Sequence, residues 1–249
     1  MDGKSAAQPS ERENRRLVAG RLPRWAGAFT ALALFAITPP SLVACSDERD
    51  ELPDPDLAVV DTNLDGVPYP TDHIGGRKRS ATRPGDRMPN LTFRAYRNGR
   101  AGGLETISIA EYFDPTQARH KVLHLQVAAT WCSICSSELE QTVKVTEALK
   151  ERGVVFLEVV ISGATAGRGP ALDEVDRWID RHKTNFPTAI DVRGRRLGAV
   201  GVSTSAVPHD ILIDTRTMEI LDSSVGAPLD VEVYALDGLA FVTKNPPSY

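Results

Sequence analysis

Residues 122–138 read VLHLQVAATWCSICSSE, and this stretch decides the fold. Its first eight residues form a mostly apolar run, which is typical of a central strand buried on both faces. Cys132 and Cys135 follow, and the residues after them have the rough apolar spacing of a helix that Gly153 ends. The sequence therefore predicts a buried strand that leads directly into a helix, with a close pair of cysteines at the junction.

The segments around this stretch continue the alternation of strand and helix. Residues 154–162 predict a second buried strand, and residues 171–183 predict an amphipathic helix. We further predict an edge strand at 91–96, a short extended piece at 187–191, an antiparallel hairpin of 210–214 with 218–224, and a last helix at 231–241. This order of elements predicts the α/β fold class.

The charge of the chain is distributed unevenly. The 249 residues carry a formal net charge of -4, but residues 1–44 hold six Lys/Arg against three Asp/Glu, so the remainder is acidic. Binding to nucleic acid needs a basic face on the folded part, because phosphates are recognised through Lys and Arg. This distribution therefore argues against a nucleic-acid partner.

Residues 1–44 are expected to form a signal peptide. Arg15, Arg16, Arg21 and Arg24 precede an uncharged stretch, 25–44, whose apolar core has the length of a signal-peptide h-region. The ending LVAC, residues 42–45, resembles the bacterial lipobox, and this resemblance implies that Cys45 carries a lipid. A plain transmembrane anchor and an ordinary cleaved signal are the alternatives, although Pro39 and Pro40 argue against a continuous helix.

An exported lipoprotein faces an oxidising compartment in which disulfides persist. We therefore expect a protein anchored by its lipid to a bacterial membrane and facing the periplasm. Ser46 follows the anchor cysteine, and in the Gram-negative sorting pattern this residue favours the outer membrane over the inner one.

Residues 45–82 are predicted to be a tether and N-terminal extension ahead of the domain at 83–249. Residues 46–57 are acidic and contain prolines, which is typical of a solvated tether. Residues 61–66 read DTNLDG, and with Asp72 they match most of a calcium-binding EF-hand loop. The flanks do not look helical, so an Asx-rich surface turn is the alternative interpretation.

The two cysteines at the strand–helix junction are the candidate reactive site. Free backbone N–H groups and the helix dipole stabilise a thiolate at that position. Cys135 lies one turn further along the same helix and faces the same way as Cys132. The pair is suited to redox chemistry in which Cys132 attacks a substrate disulfide and Cys135 resolves the mixed disulfide.

Residues 129–138, ATWCSICSSE, resemble the W-C-x-x-C-x-x-E signature of the TlpA/ResA-like thioredoxin family. Residues 207–214, VPHDILID, are similar to that family's P-T-T-F-L-I-D strand. The resemblance implies a thioredoxin-like fold, a central mixed β-sheet flanked by helices, in which Pro208 is cis and packs against the cysteines. It implies a thiol–disulfide oxidoreductase without a cofactor, with the following candidate site residues: Cys132, Cys135, Glu138 and Pro208 as catalytic, and Trp131, Val207 and His209 as substrate-binding.

Partners are also implied by the resemblance. Family members are usually reductants that act on exported protein thiols, such as those of apocytochrome c, and are recharged by a membrane electron donor.

The sequence departs from thioredoxin at Gln126, where thioredoxin has a buried Asp, so Glu138 is the candidate acid–base group. His209 replaces a Thr after the expected cis proline, where it either tunes the thiolate, shapes the substrate groove, or is an ordinary surface residue.

Two other chemistries use cysteines in comparable positions. A peroxiredoxin needs the pattern P-x-x-x-T-x-x-C, but Leu125 and Ala129 occupy its Pro and Thr positions. Copper or zinc binding and delivery by Cys132, Cys135 and His209 is the alternative function from another class. A non-catalytic binding domain is disfavoured by the intact cysteine pair.

Overall fold

The structure is a computed structural model, and it describes residues 51–74 and 82–247. The predicted signal peptide, residues 1–44, and the predicted lipid site, Cys45, lie outside the described residues. Within the described part of the chain, none of the helices combines the length and the apolar character needed to cross a bilayer.

Seven strands and four α-helices make up the described fold. The strands are β1 (Thr92–Tyr96), β2 (Glu105–Ser108), β3 (Val122–Ala129), β4 (Val154–Ser162), β5 (Thr188–Ile190), β6 (His209–Asp214) and β7 (Glu219–Val225). The helices are α1 (Ser133–Glu151), α2 (Leu172–His182), α3 (Arg195–Ala199) and α4 (Val231–Lys244), with two 3₁₀ turns at Ile109–Tyr112 and Val192–Gly194.

All seven strands form one mixed sheet in the order β2-β1-β5-β4-β3-β6-β7. Strands β3, β4 and β5 run parallel, whereas β1 and β2 on one side and β6 and β7 on the other are antiparallel to their neighbours. Every residue of β3 and β4 is buried, because apolar clusters cover both faces of the sheet. The expected α/β class and thioredoxin-like architecture are confirmed.

The buried central strands agree best with the sequence-based predictions. Strands β3 and β4 have the predicted bounds, and α2 buries the apolar side that its spacing indicates. Strand β2 and helix α3 were not predicted, because both are short and lack a periodic apolar pattern.

The acidic segment at 51–57 packs against the domain, which corrects the prediction of a solvated tether. Glu51 accepts hydrogen bonds from Arg193, and Asp54 accepts one from Arg196 at 2.8 Å. A backbone hydrogen bond also holds the segment, since the N–H of Leu52 donates to the carbonyl of Pro170 at 3.2 Å. The acidic residues are complementary to a group of arginines next to α3, so opposite charge holds the segment on the fold.

The calcium-like segment forms a turn whose side chains have protein partners. The Asn63 carboxamide oxygen accepts the backbone N–H groups of residues 65 and 67, as in an Asx turn. Asp65 pairs with Arg119 through both carboxylate oxygens, and Asp72 pairs with Arg87. These contacts favour the surface-turn interpretation over a calcium site.

Candidate active site

The cysteine pair lies where β3 ends and α1 begins. Cys132 is the N-cap residue of α1, and its Sγ accepts the backbone N–H of Cys135 at 3.1 Å. The two cysteines are joined in a disulfide, and their Cα atoms lie 5.3 Å apart, a usual separation for a disulfide. On reduction, the same N–H group and the helix N-terminus are placed to stabilise a thiolate on Cys132.

The loop before β6 approaches the disulfide from the other side. Cys132 Sγ lies 3.8 Å from the carbonyl oxygen of Val207, and the Val207–Pro208 peptide bond is cis, as the resemblance implies. Trp131 and Ile134 flank the pair at the surface with 47% and 57% of their area exposed. The indole N–H of Trp131 donates to Ser162 Oγ at 3.2 Å. The disulfide therefore sits beside an apolar surface that a protein substrate can cover.

Glu138 lies beneath the disulfide, one helical turn after Cys135 on the same buried side of α1. Its Oε1 accepts a hydrogen bond from Gln126 Nε2 at 2.9 Å, and the same amide donates to Thr142 Oγ1. Burial, followed by the nearby charge of Asp210, raises the pKa of Glu138 to about 9. Glu138 therefore holds a proton at neutral pH.

A row of polar side chains crosses the sheet beneath Glu138. Residues paired between neighbouring strands lie on the same face, so one register position defines the row. Its members, from β5 to β7, are Thr188, Glu158, Gln126, Asp210 and Ser224. All but Ser224 are buried, which is unusual for a core and identifies the row as a feature of the site.

Asp210 is in hydrogen-bond contact with a histidine from β3. His124 Nε2 lies 2.7 Å from Asp210 Oδ1, and both side chains are fully buried. His124 Nδ1 has no partner among the described residues, so the ring proton belongs on Nε2, where it is donated to Asp210. Burial lowers the pKa of His124 to about 4, and burial raises the pKa of Asp210 to about 7.

Glu158 occupies the other half of the polar row and has its own partners. Its carboxylate accepts the indole N–H of Trp178 at 2.9 Å and the hydroxyl of Thr188 at 3.2 Å. Burial raises the pKa of Glu158 to about 7, although both hydrogen bonds lower it. Glu158 is therefore a separate buried proton-binding group.

The prediction that His209 contacts substrate or metal is not supported by its position. His209 is only 5% exposed, and its ring nitrogens contact the Ser203 carbonyl at 3.1 Å and Ser223 Oγ at 2.9 Å. Because side chains alternate along a strand, His209 points to the face of the sheet opposite Asp210 and α1. The histidine ties the loop before Pro208 to β7 and does not converge with the cysteines.

Within residues 51–74 and 82–247, one group of three potential metal-ligating residues comes together: His124, Glu138 and Asp210. His124 and Asp210 were not predicted as site residues. The available signal was a polar residue within a buried strand, since His124 and Gln126 alternate with Leu125 in β3 and Asp210 precedes the apolar run ILI in β6. Alternation places such residues on one face of a strand, but it does not reveal which strands are neighbours.

The sheet, the Cys-x-x-Cys disulfide at the start of α1 and the facing cis proline define a thioredoxin-like protein of the thiol–disulfide oxidoreductase class. The model of the AhpC/TSA family matches residues 84–220, more than half of the chain, and the chain belongs to that family. The resemblance to thioredoxin-like oxidoreductases is thereby confirmed, whereas lipid attachment stays a prediction.

Solved structures are similar to this chain at low sequence identity, and the two with a TM-score above 0.5 show the same fold. AhpC of Enterococcus faecalis is 15% identical, with 68% of this chain and 98% of that chain covered and a TM-score of 0.51. AhpC of Mycobacterium tuberculosis is 16% identical, with coverage of 68% and 97% and a TM-score of 0.51. A putative thiol:disulfide interchange protein DsbE from Chlorobium tepidum is 19% identical, with coverage of 67% and 100% and a TM-score of 0.49. No curated protein sequence matches the chain.

Proposed function

We propose that this protein reduces disulfide bonds in exported proteins, using Cys132 as the nucleophile and Cys135 as the resolving thiol. The Cys132 thiolate attacks a substrate disulfide and forms a mixed disulfide, while one substrate sulfur leaves as a thiolate. Cys135 then attacks Cys132 Sγ, which closes the internal disulfide and releases the second substrate sulfur. Two electrons pass from the cysteine pair to the substrate.

The observation that carries this proposal is the contact between Cys132 Sγ and the backbone N–H of Cys135 at the start of α1. This contact and the helix dipole favour the thiolate over the thiol, so Cys132 is the better nucleophile of the pair. Cys132 and Cys135 are 5% and 2% exposed, so the hydrogen bond, rather than exposure, separates the roles of the two sulfurs.

The other site residues receive roles from their positions. Trp131 and the Val207–Pro208 loop flank the disulfide and form the substrate-binding surface. Glu138 is the acid–base group next to Cys135, in place of the buried Asp that thioredoxin has at the position of Gln126.

Export and membrane attachment belong to the same proposal and rest on the sequence of residues 1–45. Cleavage before Cys45 and its acylation would hold the domain at a membrane facing the periplasm, with the outer membrane favoured by Ser46. An upstream membrane electron donor would return the pair to the dithiol, and apocytochrome c is one candidate substrate. Mass analysis of the membrane-extracted protein tests this part, because Cys45→Ser should leave an unprocessed, lipid-free chain.

The redox reaction is tested by titrating the Cys132–Cys135 couple of the full-length chain against glutathione and dithiothreitol. A Cys45→Ser background leaves the pair as the only thiols, and Trp131 fluorescence reports the state of the neighbouring disulfide. We expect a potential near that of thioredoxin, about −270 mV, as for a reductant. A potential near that of DsbA, about −120 mV, would reverse the proposed direction. The lack of any reversible disulfide would disprove the exchange function.

A further inference from the structure

The site contains two carboxyl groups where one acid–base residue is expected. Carboxyl oxygens of Glu138 and Asp210 lie within 4.8 Å of each other in a buried pocket, together with a His124 nitrogen. Asp210 Oδ1 accepts the His124 N–H. Burial raises the pKa of both carboxyl groups, and hydrogen bonding between them raises the pKa of Glu138 further and lowers that of Asp210, so Asp210 is the proton-accepting carboxyl beside Glu138.

Glu138 cannot serve as the base by itself at neutral pH. Two buried carboxyl groups this close do not both ionise, because the like charges repel and neither is solvated. The N–H of His124 stabilises the charge on Asp210, so the single shared proton resides on Glu138. A base that already carries a proton cannot take another from Cys135 unless it passes its own proton on.

We propose that Asp210 accepts this proton, so that Glu138 and Asp210 act together as a two-carboxyl relay for Cys135. The inference rests on the proposed function and adds a residue to its second step. Asp210 acts through Glu138 rather than on sulfur, and its position follows from its pairing with Gln126 across β3 and β6.

The resolving step exchanges one disulfide bond for another and moves one proton. The Sγ–H bond of Cys135 breaks, and a bond forms between Cys135 Sγ and Cys132 Sγ. The mixed disulfide bond breaks at the same time, and the substrate sulfur leaves with its electron pair. The proton of Cys135 moves to Glu138, the proton of Glu138 moves to Asp210, and the substrate thiolate is protonated by solvent. When a donor reduces the disulfide, the same relay returns a proton to Cys135.

The surroundings of the relay are charged on several sides. His124 faces it from β3, and Glu158 lies beyond Gln126 on β4. On the other side, Asp222 of β7 accepts the hydroxyl hydrogen bond of Tyr234 from α4 at 2.6 Å. The negative charges of Asp222 and Glu158 hinder ionisation of the relay, whereas the His124 N–H favours it at Asp210.

The relay predicts a defect confined to the second half of the reaction. In a Cys45→Ser background of the full-length chain, the reduced protein is mixed with 5,5′-dithiobis(2-nitrobenzoic acid), which releases one coloured thiolate when Cys132 attacks and another when Cys135 resolves. Asp210→Asn should leave the first release within about twofold and slow the second about 10²-fold near neutral pH, a typical loss for a general base. Under alkaline conditions the second release of Asp210→Asn should approach that of the parent protein, because hydroxide removes the Cys135 proton directly.

Asp114→Asn is the matched control, because it makes the same change at another buried carboxyl, which lies outside the polar row and accepts the backbone N–H groups of Arg119 and His120. It should change neither release by more than about twofold. Equal slowing by Asp114→Asn and Asp210→Asn, or an unchanged second release in Asp210→Asn, would overturn the relay. If the parent protein shows no first release, the proposed function itself fails, which is a different result.

A second variant tests the relay even if Asp210→Asn does not fold. His124→Phe keeps an aromatic ring against Phe156 and Tyr234 but removes the N–H that stabilises the Asp210 charge. The pH profile of the second release should then move to higher pH, while the first release keeps its profile. If the pH dependence of the second-release rate is unchanged in His124→Phe, the proposed role of Asp210 is contradicted.

Discussion

At the scale of single residues, Gln126 changes how this site handles protons. An amide binds no proton, so the central position of the polar row has no charge and serves as a hydrogen-bond donor to Glu138. The titrating groups occupy the positions on either side of Gln126, Asp210 on β6 and Glu158 on β4. The acid–base chemistry is thereby divided among neighbouring elements.

Glu158 gives the folded protein a measurable pH dependence. Its pKa is raised from 4.5 to about 7 by burial, so the folded state binds this proton more tightly than the unfolded state. The free energy of unfolding therefore falls as pH rises from the unfolded to the folded pKa and then levels off. We expect Glu158→Gln to gain about 2–4 kcal/mol over the parent protein between about pH 4.5 and 8.

Denaturant unfolding of the oxidised protein at several pH values measures this difference. Glu147→Gln is the control, because Glu147 is exposed on α1 and its loss should change the free energy of unfolding by less than about 0.5 kcal/mol across the same pH range. A flat difference for Glu158→Gln as well would show that Glu158 is ionised in both states.

The sequence reveals the reactive residues of the site better than the supporting ones. Cys132, Cys135 and Glu138 lie within seven consecutive residues, and local spacing on one helix brings them together. His124 and Asp210 are 86 residues apart and meet only because β3 and β6 are neighbours. Which strands become neighbours is decided by the whole sheet, so a single sequence does not pair these two residues.

At the scale of elements, α2 ends in an unfavourable backbone conformation that a substitution can relieve. Lys183 follows the last helical residue with φ 57° and ψ 45°, the left-handed region that favours glycine. Its side chain is exposed, so little packing is lost on truncation. We expect Lys183→Gly to raise the free energy of unfolding by about 0.5–1 kcal/mol.

Lys183→Ala separates the backbone effect from the loss of the lysine side chain. Alanine keeps the Cβ and therefore the strain, so this variant should stay near the parent in its denaturation midpoint. Equal midpoints for the glycine and alanine variants would locate the effect in the lysine side chain.

The elements themselves show where sequence patterns succeed. Strands β3 and β4 have continuous apolar runs whose ends are marked by glycine or by the cysteine motif, so their bounds follow from composition. Strand β2 has four residues, ETIS, of which only the last two are buried. Its pairing with β1 is a property of the folded sheet and leaves no periodic signal in so short a segment.

At the scale of the whole molecule, the acidic segment at 51–57 is part of the folded body. Arg196 is 23% exposed at its side chain and donates to both Asp54 and the carbonyl of Pro55. Removing this arginine takes away two charge-assisted hydrogen bonds at a partly buried site. We expect Arg196→Gln to lower the opening free energy of the segment by about 1–2 kcal/mol, seen as faster hydrogen exchange at the Leu52 amide.

Arg195→Gln is the matched comparison. Arg195 reaches Asp54 only at 3.7 Å and its side chain is 55% exposed, so its loss should change exchange by less than about 0.5 kcal/mol. If both variants leave the Leu52 amide equally protected, the arginines do not hold the segment.

The hydrogen bond from the Trp178 indole to Glu158 has an optical consequence. An excited indole moves electron density away from its nitrogen-bearing ring, so a negative charge at the N–H end stabilises the excited state and shifts emission to longer wavelength. Because the pKa of Glu158 is about 7, the emission of Trp178 should move to the red as the pH passes neutrality. Trp131 is adjacent to the disulfide, so its fluorescence intensity should change when the disulfide is reduced. The fluorescence of these two tryptophans should therefore report both the protonation of Glu158 and the redox state of the cysteine pair.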